Sequence, residues 1–286
     1  MPAEHRKPFW LYPNLLSLDA PLIAVVWLYI FAQTWRLGYH PWEAYVTLGL
    51  VVWVLHVADR LLNASMLGEA AGRQDRRHHF HRVHQRRFLL GMAIAFGCAL
   101  LLVVTKMPMT IYKYLLLGAV MVAGFFGLEM LSTRENDETP LAKNVLAGVT
   151  FAFGTAMTAH IYRPELGIFD MLRSREFVSF AVLCVLNICA VELWQHASRA
   201  VDLEIKASDE LALTLPLTLL GAAALVFALL VNEQSTRPFF YAVLTSAALL
   251  YILNRRRAEY ALDALRVLAA AALLLPFLVF LAAAGE

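Results

Sequence analysis

Two short stretches of this sequence carry residues that could do chemistry together. His56 and Asp59 stand three residues apart, with Asn63 four further on, so in a helix all three share one face. Glu192 and His196 stand four apart, and Arg199 continues that stripe. An imidazole and a carboxylate on one helix face can hold a divalent metal or move a proton. If the two stretches face each other, they close one polar pocket with ligands from both sides. Arg60 adjoins the first stretch, and Asn187, Gln195, Asp202 and Glu204 surround the second. Ionisable groups at membrane depth are costly and therefore read as functional candidates. The competing reading is that they cap helices and pair at the interface. It is the favoured one for Arg60, Arg199, Asp202 and Glu204, whose charges can snorkel outward.

Between the two stretches runs a segment from Asp75 to His84 in which His78, His79, His81 and His84 alternate with Arg76, Arg77 and Arg82. It reads equally as a basic loop lying on anionic lipid headgroups or as a lid that binds an anion or a metal. His81 and His84 would be the ligands in the second case. The spacing His81-x-x-His84 alone is weak, and the repeated histidine boxes of membrane di-iron oxygenases are absent.

The elements that must position these groups are legible from hydropathy. The chain is 60% hydrophobic and only 16% charged, with a mean hydropathy of +0.62. The apolar residues fall in runs of roughly 20, the length a helix needs to cross a bilayer core. These runs predict an all-α, polytopic membrane protein of nine transmembrane helices, over 14–36, 42–64, 87–106, 110–132, 141–162, 177–198, 211–232, 238–254 and 259–283. The runs lack the period-two alternation of a membrane barrel. The first is followed by many others, which argues against a cleaved signal peptide. No linker divides the chain, so 1–286 reads as one domain, with 65–86 its longest loop.

With the N-terminus placed in the cytoplasm, alternate loops hold fifteen basic residues on that side and seven on the other. The asymmetry predicts an N-terminus inside and a C-terminus outside. Both polar stretches then fall at the cytoplasmic ends of helices, the second and the sixth. The net charge of +2 gives no reason to expect a nucleic-acid partner. Cys98, Cys184 and Cys189 all lie in apolar runs and read as packing residues rather than a disulfide or zinc framework.

The layout resembles the UbiA superfamily of intramembrane prenyltransferases. Ala58-Asp59-Arg60 matches a common wording of the family's first aspartate motif. Lys143-Asn144, followed by Gly148 and Gly154, is similar to its fifth helix, and Asn187 to Glu204 with Thr214-Leu215-Pro216 is similar to its second motif region. The resemblance spans nearly the whole chain in architecture and short stretches in wording. It implies a helical bundle around a cavity that opens to the cytoplasm, a lipophilic isoprenoid substrate carrying a diphosphate, and Mg²⁺ held by carboxylates. Asp59, Asp202 and Glu192 would be the catalytic carboxylates. Arg60, Asn63, Arg77, Arg82, Lys143, Asn187 and Arg199 would contact substrate.

The departures are chemical. Of the first motif's four polar positions only Asp59 is kept, the others reading Leu55, His56 and Asn63, and the second motif lacks a clean Asp-x-x-x-Asp. Imidazole suits Zn or Fe better than Mg²⁺. His56, Asp59, Glu192 and His196, with His81 and His84, thus define an alternative transition-metal site on the same fold. A non-catalytic lipid-binding or transport protein is the third expectation.

Overall fold

The computed structural model describes residues 9–66, 80, 81, 83–132, 140–163, 165–199, 203–231 and 234–285. Among the described residues, nine long helical stretches overlap the hydropathy runs. They are α1 (Asp19–Thr34), α2 (Trp42–Met66), α3 (Gln85–Lys106), α4 (Ile111–Ser132), α5 (Pro140–His160), α6 (Arg175–Arg199), α7 (Leu203–Leu230), α8 (Arg237–Arg255) and a last stretch divided into α9 (Leu262–Leu274) and α10 (Pro276–Ala284). Helix is the one spanning element that pairs its own backbone polar groups within a single segment, which suits runs this apolar. Pro238 and Pro276 sit in first turns, where a missing N–H is harmless. Pro276 also marks the break between α9 and α10. Among the described residues there is no strand.

Six of the described helices are long and apolar enough to cross a membrane: α2, α3, α4, α6, α7, and α9 with α10 taken together. A seventh joins them if the bent pair Phe9–Leu15 and α1 is one span. The helices short of the measure, α5 and α8, lie inside the bundle. α8 buries Phe239, Phe240, Val243, Ser246 and Asn254, and α5 buries Phe153, Thr155 and Thr158. A helix that faces protein instead of lipid tolerates hydroxyls and amides, because neighbouring helices satisfy them.

Aromatic rings pack the bundle's interior where the end of α1 meets the starts of α6 and α8. Trp27 of α1 stacks on Phe180 of α6 at 4.5 Å and meets Phe239 of α8 edge-on at 5.7 Å. Phe31 touches the same two rings at 5.5 and 5.1 Å, and all four side chains are fully buried. The Trp27 indole N–H donates to the Leu273 carbonyl at 2.9 Å, tying α1 to the end of α9. α5 packs on α6, α7 on α8, and α1 on α2 and α5. α3 leans on α2 and α4 on α5, and each leaves an apolar face open, with Leu90, Ile94 and Leu101 on α3 and Leu116 and Val120 on α4 exposed. Such faces suit a lipid environment.

Side-chain pairs fix which helix ends lie together. Arg60, near the end of α2, reaches Asn14 and Asp19 at the start of α1. Trp35 and His160 meet at the far ends of α1 and α5. Asn144, at the start of α5, bonds to Glu192 near the end of α6. The ends of α2 and α6 therefore lie at the same end of the bundle, called the polar end below.

Candidate functional site

On α2, His56, Asp59 and Asn63 are each half-buried, and the Asn63 amide donates to the Asp59 carboxylate at 3.3 Å. Their neighbour Arg60 is buried. Its guanidinium donates to the Asn14 carbonyl at 2.6 Å and lies 3.9 Å from Asp19, so it anchors α2 to the segment before α1. On α5, the buried Asn144 amide donates to the half-buried Glu192 carboxylate of α6. Lys143 pairs with Glu129 of α4 at 2.9 Å. α5 packs against both α2 and α6 and so brings the two polar stretches to one region.

The remaining expected residues spread outward. The Asn187 amide donates to the Ala269 carbonyl at 3.0 Å and joins α6 to α9. His196 pairs with Asp209 of α7 at 2.8 Å, its own side chain 62% exposed. Glu192 and His196 share a helical spacing, yet one reaches α5 and the other α7. Among the described residues, no three of His, Cys, Asp and Glu lie close enough to hold a metal ion. The set His56, Asp59, Glu192 and His196 is thus not gathered into one ligand cage: Glu192 turns to α5 and His196 to α7, while Asp59 bonds to Asn63 on its own helix.

His81 is fully buried, 3.3 Å from the Ser17 hydroxyl, with its ring stacked on Phe88 at 4.3 Å. A His84 ring nitrogen lies 3.1 Å from the Phe80 carbonyl. These two histidines diverge toward different partners. Arg77, Arg82 and Asp202 lie outside the described residues, as does the side chain of Arg199.

Two groups escape the sequence reading. At the polar end, Asn254 of α8 accepts from the Trp194 indole at 2.9 Å and donates to the Glu210 carbonyl and the Thr214 hydroxyl, both at 3.1 Å. The Glu210 carboxylate holds Arg255 at 2.6 Å and Arg257 at 2.9 Å. The run Ser208-Asp209-Glu210 before an apolar stretch signals a helix start but names no partner. At the opposite end, His40 packs edge-on to Tyr45 and Tyr162, and His160 to Trp35 and Tyr114. Burial pushes the loop residue His40 below the usual imidazole range and raises Tyr162, in the turn after α5, to about 12, so both are neutral at pH 7. The signal for this cluster is that Tyr39-His40 precedes one predicted span and His160-Ile161-Tyr162 closes another at the same end.

No family model, curated protein or solved structure matches the chain. Its function is argued from the site alone.

Proposed function

We propose that the chain is a divergent UbiA-like prenyltransferase that acts on an isoprenyl diphosphate at the polar end of its bundle. One observation carries the reading. An apolar bundle gathers Asp59 with Asn63 and Glu192 with Asn144 at one end, and an apolar groove of about 320 Å³ runs between α5 and α6. The groove is lined by Val145, Val149, Val182, Val185 and Leu186, among others, and begins one residue from Asn144. A prenyl chain laid in it would bring its diphosphate to the two carboxylates.

The donor set fits Mg²⁺ delivered with its substrate. That ion is usually held by one or two carboxylates, with phosphate oxygens and water completing its octahedron, so no preformed cage of three side chains is required. Asp59 and Glu192 are the two carboxylates, with Asn63 and Asn144 as neutral oxygen or N–H partners. When bound, the ion would neutralise the diphosphate as its bond to the allylic carbon breaks. Lys143, and Arg77, Arg82 and Arg199 from the basic segments, would bind the departing anion. Asp202 would supply a further carboxylate.

In this reading all nine helical stretches cross the membrane, and the fifteen-to-seven basic asymmetry sets the N-terminus in the cytoplasm and the C-terminus outside. A cysteine placed at Val83, an exposed position, is then expected to react with an impermeant maleimide only after the cytoplasmic face is opened. Labelling in intact cells would reverse the orientation.

The direct test is binding of a non-hydrolysable prenyl thiodiphosphate to the purified chain with and without Mg²⁺. Asp59→Asn and Glu192→Gln are each expected to weaken Mg²⁺-dependent binding about tenfold or more, since a charge-assisted contact is roughly twice as strong as a neutral one. Asn63→Ala and His56→Ala should leave part of it. Wild-type binding in both carboxylate variants would overturn the assignment.

A second reading has its own observation. The four rings of Trp27, Phe31, Phe180 and Phe239 pack the bundle's interior, and two apolar grooves lie along its helix pairs. That favours a lipid-binding protein without turnover, and it predicts Mg²⁺-independent retention of the same probe.

A further inference from the structure

Phe9–Leu15 meets α1 at an angle of 81°. A short segment that turns this sharply and keeps one apolar face outward has the form of an interfacial helix. Its outward side chains are Phe9, Trp10 and Tyr12, all exposed, while Leu11 and Leu15 are buried beneath. Aromatic rings of this kind collect at headgroup level.

The segment is firmly attached. Its elbow, Ser17, holds a φ of 57°, a left-handed conformation that a residue with a Cβ keeps only when its surroundings enforce it. Three contacts enforce it: the Arg60 guanidinium donates to the Asn14 carbonyl, the Trp53 indole donates to the Leu16 carbonyl at 3.0 Å, and the Ser17 hydroxyl meets the His81 ring. His81 stacks on Phe88 in the first turn of α3. The same turn carries Arg86 and Arg87, both exposed, and contains no acidic residue. Through Ser17, His81 and Phe88 the aromatic segment is thus tied to the turn of α3 that carries the two guanidiniums.

We propose that this surface binds the headgroups of anionic phospholipids in the leaflet at the polar end. The level fits, because the surface lies at the boundary of two apolar spans. The charge fits, because exposed arginines beside a membrane favour anionic over zwitterionic lipid. The geometry of guanidinium suits a phosphodiester, which it can grip with two parallel N–H donors. A soluble protein partner would not account for the aromatic side chains at headgroup depth. The contact also bears on the candidate site, since Arg60, which pins the elbow, is the sequence neighbour of Asp59.

The experiment uses the full chain, reconstituted in an equimolar mixture of phosphatidylglycerol and phosphatidylcholine and re-extracted, with co-purifying lipid quantified by mass spectrometry. Wild type is expected to retain phosphatidylglycerol in excess of the bulk ratio. The R86Q/R87Q double variant, whose side chains are exposed, should lower that enrichment on the order of tenfold. K106Q, at the other end of α3, should leave it unchanged. The proposal is overturned if wild type shows no enrichment, or if the enrichment survives R86Q/R87Q. It is also overturned if excess inorganic phosphate abolishes the enrichment, which would mark a site for free phosphate.

Discussion

Gly148→Ala is expected to unfold this bundle at a much lower temperature than wild type. A methyl group built at Gly148 would sit 2.6 Å from the Val185 nitrogen and 2.7 Å from its Cα and Cγ2. Two of those three atoms are backbone, which cannot rotate out of the way. α5 and α6 would have to separate, and theirs is among the most extensive helix contacts in the chain. Forcing extra volume into a packed interior costs about 1–3 kcal/mol, occasionally more. Separation would also pull Asn144, one turn earlier on α5, away from Glu192, so prenyl diphosphate binding should fall with stability. Gly154→Ala on the same helix is the control. Nothing lies within 4 Å of its added methyl, and alanine gains about 1 kcal/mol of helix propensity over glycine. Thermal melting in detergent, followed by size-exclusion, separates the two. A Gly148→Ala protein that melts with or above Gly154→Ala would show that the α5–α6 approach is looser than described.

The second large effect is expected at Asn254. This side chain, 1% exposed, takes one hydrogen bond from α6 and gives two to α7. Asn254→Ala leaves the Trp194 N–H without its acceptor, while the Glu210 carbonyl keeps the Thr214 hydroxyl. A buried polar group so stranded costs about 1–3 kcal/mol. By contrast, Arg255→Gln breaks the 2.6 Å pair with Glu210 but should cost little, since an ion pair with an exposed member is worth about 0–1 kcal/mol. Trp194→Phe should fall between them, and combining it with Asn254→Ala should be less than additive, because both remove the same bond. Melting temperatures of the four variants test this. If Arg255→Gln destabilises more than Asn254→Ala, the junction of α6, α7 and α8 is held by surface charge and not by the buried amide.

Helix positions were legible in the sequence because what sets them is local. Run length and apolar content decide where a chain must satisfy its backbone internally, and the runs reappear as helical stretches, most of them within a few residues of their expected limits, with α1 starting five residues later and α7 eight earlier. Alternation of direction follows from short connections, so the gathering of the two polar stretches at one end was legible too. The partners of each polar side chain were not. Glu192 and His196 share a stripe by spacing, yet they divide between Asn144 and Asp209. Arg60 reads as a substrate contact beside Asp59 but closes on Asn14. His40 and Tyr162 lie far apart in sequence and stand 5.2 Å apart in the fold. Helical period tells which residues share a face, while lateral neighbours depend on close packing between segments remote in the chain, where small residues decide how near two helices come. Gly148 was visible as a glycine; that Val185 presses on it, and that Trp27, Phe31, Phe180 and Phe239 meet in the interior, only the tertiary structure decided.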